Sequence, residues 1–104
     1  MKAEQVKLYE MQAEFCSIMS NPKRLMIIDF LHQTGESNVS DIAKELETTV
    51  SLVSQHLRLM RDKGVVLTRK DGQAVLYRLK HPKLMEGCRA VQAILLEELR
   101  LGSR

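Results

Sequence analysis

The sequence predicts a mainly α-helical fold carrying one β-hairpin, in the order α-α-α-α-β-β-α. Three observations lead there. Apolar residues recur at helical spacing over most of the 104 residues. The period shortens to two between Val65 and Leu79. An Asp71-Gly72 dipeptide divides that stretch as a tight hairpin turn does.

The first helix is expected over Ala3 to Met19, which holds no Gly or Pro. It carries two apolar stripes, Val6, Tyr9, Ala13 and Cys16 on one and Leu8, Met11, Phe15 and Ile18 on the other. Two stripes call for two packing partners. Asn21-Pro22 reads as an N-cap followed by proline at the first helical position, opening a second helix to about Gln33 that Gly35 ends. Asn38 caps a third helix of about two turns, with Asp41 as a capping-box partner and Ile42, Ala43 and Leu46 turned inward. Thr49 caps a fourth helix from Val50 to Lys63, closed by Gly64. Only Glu47-Thr48 connects the two, and short helices joined this tightly form a helix-turn-helix. The hairpin follows, with strands over Val65–Lys70 and Gln73–Leu79, and Pro82 opens a last helix to about Leu101. The whole is a winged helix-turn-helix, one domain over 1–104, with long helices over about 3–19 and 82–101 expected to make it dimeric. The chain's small size supports dimerisation, because a core this thin benefits from an interface.

Composition narrows the function. The net charge is only +3, but between Thr49 and Lys80 seven Lys and Arg face two Asp, while the remaining residues are net acidic. A basic segment between acidic flanks points to a polyanion partner, with a solvated charged face as the plainer alternative. The charged N-terminal residues and the absence of an apolar run of about 18 residues predict a cytoplasmic protein with no membrane partner. Two cysteines 72 positions apart make no CxxC pair, and no nucleophile elbow, Gly-rich phosphate loop or paired histidines appear, so no enzyme is expected. No cofactor is expected either.

The nucleic-acid reading rests on two faces. On the fourth helix Val53, Leu57 and Met60 take one side, while Ser51, Ser54, Gln55 and Arg58 fall at i, i+3, i+4 and i+7 on the other. Gln can pair with adenine, Arg with guanine or phosphate, and Ser with base edges or phosphate, which suits a major groove. Thr49, at the start of the helix, joins this set. At the hairpin tip Lys70 and Gln73 flank Asp71-Gly72 with Arg69 one step behind, placed to meet phosphates or a minor groove. Charge that blocks edge-strand pairing is the alternative for the tip. His56 falls between the two helix faces and is read as a packing residue.

These stretches carry a family likeness. Asn21-Pro22-Lys23-Arg24-Leu25, Val39-Ser40-Asp41-Ile42-Ala43, Val53-Ser54-Gln55-His56-Leu57 and Gly64-Val65-Val66 with the Asp71-Gly72 wing together resemble the ArsR/SmtB family of repressors over roughly Ala13 to Leu99. The resemblance implies a homodimer held by its first and last helices. Its fourth helices would read a palindromic operator in double-stranded DNA, and a ligand or redox event would release it. Three departures stand out. Glu47 replaces a glycine common at that link, at about 1 kcal/mol if the site needs positive φ. The third-helix thiolate metal site is missing, because no cysteine lies between Cys16 and Cys88, and the carboxylate-histidine site of the last helix is missing too. No metal site is expected by those routes.

Cys16 and Cys88 are the candidate sensing thiols. In the family's architecture their helices pack together. Some relatives sense oxidants or reactive sulfur through cysteines on the second and last helices, but here Asp29 takes the second-helix position. Others bind arsenite through thiolates, for which a third ligand is not evident. Packing alone is the third reading, since free cysteine often fills space. A regulator with structural cysteines, acting without a ligand, therefore stays open beside the thiol-responsive and arsenite-responsive repressors.

Overall fold

A computed structural model describes residues 1–102, so the last two residues of the expected domain lie outside the described part. The elements are α1 (Ala3–Cys16), a single 3-10 turn (Ser17–Met19), α2 (Pro22–Thr34), α3 (Val39–Glu45), α4 (Val50–Asp62), β1 (Val66–Asp71), β2 (Ala74–Leu79) and α5 (Leu84–Gly102).

Short-range chemistry fixes the helix starts. The Asn21 carboxamide oxygen accepts from the Lys23 and Arg24 N–H groups at 2.9 and 3.3 Å, with Pro22 behind it. Asn38 accepts from the Asp41 N–H at 2.8 Å, and Thr49 Oγ1 from the Leu52 N–H at 3.1 Å. Each bond satisfies an amide that the first helical turn leaves without a partner. At the other ends Gly35 takes φ 84° and Gly64 φ 76°, left-handed positions that let the chain leave the helix sharply.

Side chains from α2, α3 and α4 meet in one core: Ile27, Ile28 and Leu31 against Ile42 and Ala43, and against Val53, Leu57 and Met60. Val65, Val66 and Leu79 close it from the base of the hairpin, with Ile18 and Met85 at its edges. β1 and β2 pair antiparallel from Val66↔Leu79 to Asp71↔Ala74. The link between α2 and α3 adds a short third edge. Ser37 and Tyr77 exchange backbone hydrogen bonds of 3.0 and 2.8 Å.

Three boundaries differ from expectation. The first helix tightens into the 3-10 turn after Cys16. Pro82 sits in a turn of i→i+3 bonds, from Leu84 N–H to His81 and from Met85 N–H to Pro82, and α5 starts at Leu84. The hairpin loop is Gly72-Gln73, because Asp71 pairs with Ala74. Of these two loop residues only Gly72 has positive φ, at 63°, the pattern of a II′ turn with glycine first.

The two long helices meet this core at one end each, Phe15 of α1 and Leu84, Met85 and Cys88 of α5 packing on it. α1 buries no residue and α5 buries only Met85. The radius of gyration, 15.8 Å, exceeds the roughly 13 Å of a compact chain this long.

Candidate nucleic-acid interface

The turn before α4 decides how its face is presented. Leu46 ends α3, Glu47 takes φ 53°, and Thr49 opens α4. Glu47 is the only residue other than glycine with positive φ among the described residues, so the link does need the conformation a glycine would adopt freely. With α3 and the turn fixed, α4 packs Val53, Leu57 and Met60 inward, each with no exposed surface. Ser51, Ser54, Gln55 and Arg58 are all exposed along the other side. Thr49 is exposed too. Its oxygen accepts the capping bond, which leaves the hydroxyl hydrogen free to donate outward.

On the hairpin, Lys70 and Gln73 are exposed, Gln73 within the loop itself and Lys70 two residues before it. Arg69 is exposed but occupied. Its Nε and one terminal nitrogen donate to the two Glu36 oxygens at 2.9 and 2.5 Å. That fork lowers the Glu36 carboxyl below its usual range and holds the Arg69 guanidinium above its own. Sequence reasoning missed Glu36. The pair spans 33 positions, and no periodicity points to it.

His56 is half-buried, and burial together with the nearby Arg24 charge lowers its pKa. The packing role expected for it fits that position. Arg24 in turn donates through Nε to the Ile18 carbonyl at 2.7 Å, tying α2 to the middle of the 3-10 turn. Glu14 on α1 is ion-paired with Lys63 at the C-terminal end of α4, which lowers the Glu14 pKa.

The thiols share one place. Cys16 is exposed and Cys88 half-buried, and both line an apolar groove of about 570 Å³ with Phe15, Met19, Leu25 and Val91. The Cys88 thiol donates to the Met19 sulfur at 3.5 Å. Burial, and secondarily Cys16, push the Cys88 pKa up. Asp29 lies on the same groove.

A profile described as bacterial regulatory protein, arsR family, matches residues 21–68, from the α2 cap into β1. The HTH-type transcriptional regulator YgaV of Escherichia coli is 33% identical over 72 residues, spanning 69% of this chain and 73% of YgaV. The chain belongs to the arsR family. As an arsR-family protein it is a transcriptional regulator with a DNA-binding winged helix, not an enzyme. Among solved structures, the homodimeric winged helix-turn-helix DNA-binding domain of Mb0332 from Mycobacterium bovis superposes with a TM-score of 0.80 at 26% identity, covering 95% of this chain and 91% of that one. The transcriptional repressor PagR of Bacillus anthracis gives a TM-score of 0.73 at 31% identity, covering 83% and 98%.

Within this arsR regulator no three His, Cys, Asp or Glu side chains converge as a metal would require, among the described residues. No helix among them is long and apolar enough to cross a membrane.

Proposed function

We propose that this arsR regulator is a homodimeric repressor that reads a palindromic operator through α4 and steadies itself on phosphates with its wing. The exposed row of Ser51, Ser54, Gln55 and Arg58, backed by three buried residues, carries the reading. A side chain can discriminate base edges only if its helix is held rigidly, and the buried row holds this one. Thr49 and Lys70 meet phosphates in this scheme, and Gln73 reaches from the loop.

Dimerisation supplies the second recognition helix, which must sit about 34 Å from the first to enter the next major groove on the same DNA face. Leu95, Leu96 and Leu99 of α5 are more than half exposed in the single chain, as are Leu8, Tyr9 and Met11 of α1. So many exposed large apolar side chains on two helices favour burial against a second copy. The relatives support both parts: Mb0332 is described as homodimeric and PagR as a repressor. A DNA partner also favours a cytoplasmic location.

The release signal is thiol chemistry at Cys16 and Cys88. Both line one groove beside α1 and α5. An oxidant that takes two electrons, with loss of both thiol protons, would join them. A persulfide donor could instead pass its outer sulfur to one cysteine, releasing the donor's thiol, and attack by the second cysteine on that persulfide would expel hydrogen sulfide and leave the same link. Either event changes the helices that set the spacing of the two α4 helices.

Operator affinity tests the scheme. Gln55→Ala should lower specific binding by about 1–3 kcal/mol and leave random-sequence binding unchanged, whereas Lys70→Ala should weaken both and flatten the salt slope by about one. Equal losses for Gln55→Ala on both DNAs would remove it from base reading, and a monomer in sedimentation at tens of micromolar would remove the dimer. Full operator affinity in oxidant- or persulfide-treated protein carrying no adduct at either cysteine would leave the thiols as packing residues.

A further inference from the structure

We infer that Glu36 is a positioning residue for the wing, clamping Arg69 so that this arginine holds the hairpin against the body of the domain instead of contacting DNA. Two independent observations meet there. Glu36 accepts both prongs of the Arg69 fork, and the next residue, Ser37, exchanges two backbone hydrogen bonds with Tyr77. The link between α2 and α3 thus grips both strands, β1 by a side chain and β2 by its backbone.

The direction of the fork follows from the register. Tyr77, which bridges Ser37, pairs with Thr68, one residue nearer the hairpin base than Arg69. The guanidinium therefore leans toward the base of the hairpin, away from the Gly72-Gln73 loop. Lys70 faces the other side of the ribbon, since neighbouring strand residues alternate. A partly exposed ion pair adds little to global stability. Its ends, however, lie on the body and on the wing, so breaking it changes where the wing stands more than whether the domain folds. The face of the ribbon that carries Arg69 also holds Arg78, whose charge acts on Glu36 as well.

The inference rests on the DNA-binding reading, and the test separates the two. Binding of the full-length protein to operator and random DNA is measured against salt concentration for wild type, Glu36→Gln, Arg69→Ala, the double variant and the charge swap Glu36→Arg with Arg69→Glu. Amide exchange at Ser37 and Tyr77 is followed in parallel. Each single variant should weaken operator binding about two- to fivefold and speed exchange at both amides, with the salt slope unchanged. The double variant should do no worse than the weaker single, and the swap should recover most of the loss. If Glu36→Gln tightens binding to both DNAs while Arg69→Ala flattens the salt slope by about one, Arg69 is a phosphate ligand that Glu36 restrains, and the clamp is overturned. Unchanged exchange and unchanged affinity overturn it equally. A wild type that fails to prefer its operator defeats the repressor reading instead, and the exchange data still decide the clamp.

Discussion

The Cys88 thiol donates to the sulfur of Met19 at 3.5 Å, within the groove that Cys16 also lines. Because burial raises its pKa, Cys88 carries less thiolate at neutral pH than an ordinary cysteine, and the thiolate is the reacting species. Its alkylation rate should keep climbing as the pH passes about 8.5, where an unperturbed thiol begins to level off. At neutral pH it should be several-fold slower than in the urea-unfolded chain. Mass spectrometry of an iodoacetamide time course reads both, and a plateau near pH 8.5 would show that the groove does not shield the thiol.

Thr49 has one hydroxyl that caps α4 and that, in the proposed scheme, would also meet a phosphate. Thr49→Ala should lower the unfolding free energy by about 1 kcal/mol, while Thr49→Ser keeps most of it. Urea titration checks this. If alanine and serine behave alike, the capping bond to Leu52 contributes nothing.

Glu47 occupies a left-handed position that costs an L-residue about 1–2 kcal/mol, partly offset because glycine loses more chain entropy on folding. Glu47→Gly should therefore raise stability by about 0.5–1 kcal/mol, and Glu47→Val should lower it. Thermal melts of the two variants order them. A less stable glycine variant would mean that Glu47 makes contacts that outweigh its backbone conformation.

His56 supplies a pH dependence of known sign. Its pKa is lower in the folded protein than its ordinary value near 6.5, so the unfolded chain binds the proton more readily. This contribution is fully present above about pH 6.5 and is lost as the pH falls through the folded pKa. The urea midpoint should drop between pH 7 and pH 5, and His56→Gln should shrink that drop. An identical drop in the variant would assign the effect to other groups.

What the sequence made legible was local. Asn21, Asn38 and Thr49 act within three residues of themselves, so each cap could be read directly, and so could the inward row of α4. The hairpin loop was misplaced by one residue because an Asp-Gly loop needs two positive φ values, whereas a glycine-first loop needs one and lets Asp71 and Ala74 add a pair to the ladder. Pro82 signalled a helix start but sits in the preceding turn, since its fixed φ suits both. The Glu36–Arg69 and Glu14–Lys63 pairs and the Ser37–Tyr77 bridge had no sequence signature. They join residues brought together only after the core has formed. The positions of Cys16 and Cys88 on one groove depended on how α1 and α5 meet α2, which helical periodicity alone does not determine.

The bare leucines of α5 have a consequence for dosage. If the species that grips DNA is a pair of chains, its abundance follows the square of the chain concentration wherever most chains are single, so a twofold fall in synthesis becomes about a fourfold fall in pairs. Dilution of the protein would then loosen its hold on DNA disproportionately, and that steepness would come from apolar side chains of α5 rather than from α4.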